Sequence, residues 1–137
     1  MKAGSRLLLL AALVPTVGLA KPLPRYGHFV YSSLCWGKDS GDASGVRFML
    51  TRSHKGASLV YEYGAGPLEG ARITSLKLVG DRIDAEASTN DGDLTISAIL
   101  EPRRAKLLGP FDGKHPGEPR TLKRIKNFKQ NIPQCRG

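Results

Sequence analysis

The side chains able to do chemistry in this 137-residue chain are few and scattered. Nucleophilic catalysis needs a Ser or Cys within hydrogen-bond reach of a base that a third group orients. The histidines His28, His54 and His115 fall on three separate segments. Asp42-Ala43-Ser44-Gly45 outwardly resembles a protease serine motif, but it lies in a Gly/Ser/Asp run without the strand-to-helix turn of a nucleophile elbow. His28 is opposite in phase to Phe29 and reads as a surface residue. No two His or Cys stand at zinc-ligand spacing. Asn90-Asp91-Gly92-Asp93 and the loop from Asp39 to Asp42 offer hard oxygen ligands. Neither has the ordered acids and closing Glu of a calcium loop, and Asx-Gly turn chemistry explains the first without an ion. Asp84 and Glu86 share one strand's polar face, the arrangement of a solvated surface rather than of carboxylates opposed across a cleft. No glycine-rich loop opens a helix after a strand, which leaves a nucleotide site without support. The expectation is a non-enzyme with no metal and no cofactor.

Two features remain, cysteine placement and charge. Cys35 and Cys135 are the only cysteines, near the two ends of residues 21–137, and are predicted to form a structural disulfide. Such a bond would pin the C-terminal segment back onto the first strand. The formal charge is +9. From Lys21 to Pro102 nine Lys/Arg stand against ten Asp/Glu, while from Arg103 to Gly137 ten stand against two. The body is neutral and segment 103–137 strongly basic. Its candidate binding residues are Arg103, Arg104, Lys106, Arg120, Lys123, Arg124, Lys126 and Lys129. Clustered cations of this kind attract polyanions or an acidic protein surface, and the contact is salt-sensitive. Phe128 is the one aromatic stacking platform among the clustered cations from Arg120 to Lys129, so nucleic acid is less favoured.

These residues must be positioned by a scaffold, and its signature is period-two alternation. Arg82 to Ser88 alternates polar and apolar residues, and Leu94, Ile96, Ala98 and Leu100 repeat the pattern after a turn expected over Thr89 to Asp93. Similar runs predict strands at Tyr26–Trp36, from Val46 to Thr51, Ser58–Tyr63, Arg72–Val79 and Ala105–Leu108. The stretch from Gly37 to Gly45 reads as a loop, Gly64 to Pro67 as the stop of a strand, and Gly109 to Pro119 as irregular. Near the end Leu122, Ile125, Phe128 and Ile132 recur at helical spacing, so residues 120–132 are expected as a short amphipathic helix, with a strand over Thr121 to Ile125 as the alternative. The fold class is therefore all-β and mainly antiparallel. A single-domain meander of about six to eight strands would close into a barrel or strongly bent sheet.

Lys2 and Arg6, the apolar run Leu7 to Val14 and the small residues Gly18-Leu19-Ala20 have the form of a signal peptide cleaved after Ala20. Residues 21–137 would then be one exported domain, periplasmic or secreted, without a transmembrane segment and monomeric. The functional expectation is an exported binding module for a macromolecular partner, which would include an inhibitor of an envelope or foreign enzyme. The loops Lys38 to Gly45 and Pro110 to Pro119, or the basic face, would make the contact. The alternatives are binding of an anionic envelope polymer through that face, and a lipocalin-like carrier holding a small apolar ligand inside the barrel. The many alanines on inward positions fit either a narrow filled lumen or an open one.

Overall fold

The computed structural model describes residues 21–109 and 119–136. Residues 1–20, read above as a signal peptide, and most of the expected irregular stretch, residues 110–118, lie outside them. Among the described residues nine strands are present: β1 Gly27–Ser32, β2 Cys35–Trp36, β3 Ala43–Ser53, β4 Gly56–Gly66, β5 Leu68–Val79, β6 Arg82–Thr89, β7 Gly92–Leu100, β8 Arg104–Leu107 and β9 Arg120–Ile125. Each pairs antiparallel with its neighbour in the order β1-β9-β8-β7-β6-β5-β4-β3, and β3 returns to β1. The result is a closed barrel of eight strands. The extra strand, β2, continues from β1 and pairs with the start of β3.

Alternation decides which face is inside. Ile83, Ala85 and Ala87 of β6 and Leu94, Ile96, Ala98 and Leu100 of β7 are all buried, as the pattern requires. The turn between them is shorter than expected, only Asn90 and Asp91, because Thr89 pairs with Gly92 and its Oγ1 accepts the Asp91 N–H at 3.2 Å. Across the lumen stand the bulky residues Phe29, Tyr31, Phe48, Tyr61 and Tyr63, with the Phe48 ring centroid 5.4 Å from Tyr31 and 6.5 Å from Tyr61. Small alanines on β6 and β7 thus face large aromatics on β1, β3 and β4, and the lumen is filled by side chains. The outer wall carries Lys77, Arg82, Asp84, Glu86, Arg104, Lys106 and Lys123. A membrane-spanning barrel presents apolar residues outward, so this wall is patterned to face water. Among the described residues no helix is long and apolar enough to cross a membrane.

Three sequence expectations are corrected. Residues 120–132 are not a helix: Arg120–Ile125 is the strand β9, and the chain after it is irregular. Helical spacing loses to pairing here, because β9 supplies the missing neighbour to both β8 and β1, whose edges a helix would leave without hydrogen bonds. The first strand breaks at Ser33 and Leu34, which sends Cys35 out of the inward series of Phe29 and Tyr31. Lastly, Ala43 to Gly45 and Gly64 to Gly66 belong to strands β3 and β4 rather than to a loop and a stop. Their glycines serve close approach. A Cβ on Gly64 would lie 2.4 Å from the Ala43 carbonyl carbon, and one on Gly45, at φ +97°, would lie 2.4 Å from the Ser33 oxygen.

Candidate functional site

The turn from β7 to β8 sets one rim of the barrel. Pro102 pre-sets the backbone for a four-residue turn in which the Glu101 N–H donates to the Arg104 carbonyl at 2.8 Å. The Arg124 N–H donates to the Arg103 carbonyl at 2.9 Å, which ties this turn to β9. Register then brings Arg104 directly opposite Lys123. Arg124, one residue on, points to the other face, opposite Tyr31. Its guanidinium lies 5.0 Å from the Phe29 ring centroid and 5.6 Å from that of Tyr31, and donates to the Pro102 carbonyl at 3.3 Å. Beneath the rim the segment before β1 comes in, its Leu23 buried in the core and its Lys21 beside the turn.

Together Lys21, Glu101, Pro102, Arg103, Arg104, Thr121, Lys123 and Arg124 line an open groove of about 790 Å³. Among the described residues five cations stand there against one acid, and that acid is engaged: Glu101 Oε2 accepts from Arg104 Nε at 2.5 Å. Among the described residues no carboxylate pairs with Lys21, Arg103, Lys123 or Arg124. A second hollow, bounded by Arg124, Ile125, Lys126, Asn127 and Gln130, shares Arg124 and prolongs the positive surface. Like charges placed directly across a strand pair cost stability, so the Arg104 and Lys123 pairing is not explained by folding. Arginine forks and mobile ammonium groups in such a groove bind phosphate, sulfate or carboxylate oxygens.

The basic residues named from the sequence therefore separate. Arg103, Arg104, Lys123 and Arg124 converge on the groove, Lys126 borders its extension, and Lys106 stands two residues beyond Arg104 on the same outer face of β8. Arg120 is half-buried opposite Leu107 near the far end of β9, and Lys129 lies farther along the irregular segment. Lys21 was missed. Its sequence neighbours say nothing of a site 80 residues away, and only burial of Leu23 brings it there.

After β9 the chain crosses the outside of the barrel as a strap. On the wall beneath it, Arg47 donates to Glu62 Oε2 from Nε at 2.9 Å and from Nη2 at 2.6 Å. Phe128 roofs this pair with its ring centroid 4.4 Å from the guanidinium, and the Gln130 carbonyl accepts from Nη1 at 3.4 Å. Farther on, the Trp36 N–H donates to Pro133 O and the Cys135 N–H to Trp36 O, each at 2.8 Å. The Cys35–Cys135 disulfide ends the strap on β2. The bond pins the C-terminal segment to the first part of the chain, as expected.

Away from the groove and the strap, three acidic groups are shifted by their surroundings. Burial pushes the Tyr31 hydroxyl above its ordinary range, with Arg124 pulling the other way, and the hydroxyl donates to the Glu101 carbonyl at 2.7 Å. Burial likewise raises Tyr63, whose hydroxyl donates to Glu69 at 2.8 Å. Hydrogen bonds from Arg82 and Ser97 lower the Asp84 carboxyl. His28 is exposed, its Nδ1 2.9 Å from Thr51 Oγ1. Among the described residues no three His, Cys, Asp or Glu side chains stand where they could hold a metal ion. The chain matches no family model, no curated protein and no solved structure.

Proposed function

We propose that the protein is an exported, non-enzymatic binding module whose rim groove engages an anionic macromolecule outside the cytoplasm. The observation that carries this reading is the convergence of Lys21, Arg103, Arg104, Lys123 and Arg124 on one groove whose single acid among the described residues is already paired. The Cys35–Cys135 disulfide and the charged outer wall are consistent with an exported protein in water. An anionic envelope polymer and an enzyme with an acidic surface both fit the groove, and the second would make the protein an inhibitor. The filled lumen weighs against carriage of an apolar ligand inside the barrel.

The test is titration of the purified protein with polyphosphate, lipopolysaccharide and a neutral dextran at several salt concentrations. Binding of the anionic polymers that weakens steeply with salt, and is lost in a Lys123→Glu, Arg103→Glu double variant, supports the reading. Equal binding of dextran, or affinity unchanged in the double variant, overturns it.

A further inference from the structure

The barrel has a second surface whose chemistry differs from that of the groove. β4 and β5 pair only from Tyr61 to Gly64 against Leu68 to Ala71, although β4 begins at Gly56 and β5 runs on to Val79. Beyond that point, among the described residues, Gly56 to Val60 pair only with β3, and Arg72 to Val79 only with β6. The register shift between Ile73 and Ser75 marks where β5 departs. Since an antiparallel strand directs its amides and carbonyls alternately to its two sides, on the order of half of those in each stretch face an unpaired seam.

The apolar lining is also less complete along β5. Most inward apolar residues of the barrel are buried, but Ala71, Ile73, Leu76 and Leu78 are only partly so, and the last three lie where β5 has left β4. Two hollows follow the seam and share Ala57. One, of about 370 Å³, lies among Ala57, Ser58, Leu59, Ile73, Thr74, Ser75 and Leu76, and the other, of about 340 Å³, extends past Leu78 to Arg25, Arg52 and His54. The margins are cationic: Arg25, Lys55 and Arg72 have no carboxylate partner among the described residues. An edge of free backbone groups, hollows of mixed apolar and polar lining beside it and a positive border together specify one kind of ligand. We propose that the β4–β5 seam binds an acidic polypeptide segment in extended conformation, which adds as a strand along Gly56 to Val60. Its alternate apolar side chains fill the hollow over Leu59, Ile73 and Leu76, and its acidic ones face Arg25 and Arg72. This inference stands apart from the rim groove and does not depend on it.

The probe is an acetylated, amidated heptapeptide of alternating valine and glutamate, added to the purified protein while amide hydrogen exchange is followed residue by residue. Exchange at Ala57 to Val60 should slow by about tenfold or more, with the rim turn at Glu101 to Arg104 unchanged. The same peptide N-methylated on alternate amides keeps every side chain, and its affinity should fall by about tenfold or more because the strand bonds are gone. Leu76→Lys should also weaken binding, its fold checked by near-ultraviolet circular dichroism. Equal binding of the N-methylated peptide, or protection confined to the rim, overturns the proposal. So does slowed exchange that needs no peptide and rises with protein concentration, which would make the occupant a second copy of the chain. Absence of any protection refutes it outright.

Discussion

Arg47 and Arg103 carry the same group in opposite circumstances. Arg47 sits on the outer wall under the strap, bonded twice to Glu62, capped by Phe128 and almost wholly buried. Arg103 stands exposed at the rim among other cations, with no carboxylate partner among the described residues. A charge that serves the fold is paired and covered, because an unpaired one removed from water is costly. A charge that serves a partner is left in water, where crowding by Lys123 and Arg104 costs little until an anion relieves it. The strap side should therefore answer to mutation in stability, and the rim side in binding.

The largest effect that could break this contrast is loss of the strap. Replacing Cys35 and Cys135 by serine should lower unfolding free energy by about 2–5 kcal/mol, measured by urea denaturation. Arg47→Ala leaves Glu62 without its partner and should cost about 2–4 kcal/mol, whereas Arg103→Ala should stay within about 0.5 kcal/mol. Comparable losses from the two arginines would dissolve the distinction. Gly64→Ala probes the close crossing on the strap side and should cost about 1–3 kcal/mol, since its Cβ would meet the Ala43 backbone at 2.4 Å.

On the rim, Lys123→Glu should reduce polyphosphate affinity by about tenfold at low salt and flatten its salt dependence. The same change places a carboxylate opposite Arg104, so stability should rise by about 0.2–1 kcal/mol. A variant that loses both affinity and stability would mean that Lys123 holds the barrel together. The smallest effect lies in pH. Burial raises the Tyr31 and Tyr63 hydroxyls in the fold, so their contribution to stability is complete below the unfolded value of about 10 and is lost as pH rises through the folded ones. Phenolate absorbance should therefore lag behind that of a free tyrosine until the barrel opens.

Much of this architecture was legible in the chain. Strict alternation around Asn90-Asp91 identifies β6, β7 and their inward faces, because period two is a property of the extended backbone itself. The two cysteines could be paired by elimination. Glycine was misleading at Gly45 and Gly64, where composition signals a break. In the fold they are strand residues that lack a side chain because neighbouring backbone, Ser33 at Gly45 and Ala43 at Gly64, lies where a Cβ would stand. The spacing of Leu122, Ile125 and Phe128 suggests a helix, yet Leu122 faces the core, Ile125 lies beside Val30, and Phe128 belongs to the strap over Arg47.

By itself the sequence determined what its local period and composition carry: an all-β chain, alternating faces, a cysteine pair and a basic final quarter. Tertiary structure alone decided which of those cations meet. Closure through β9 set Arg104 beside Lys123, turned Arg124 inward, drew Lys21 in through Leu23 and left Lys129 on the strap. The physical reason is that charge is additive along a chain, whereas an electrostatic site depends on distances that only the barrel's register and closure define.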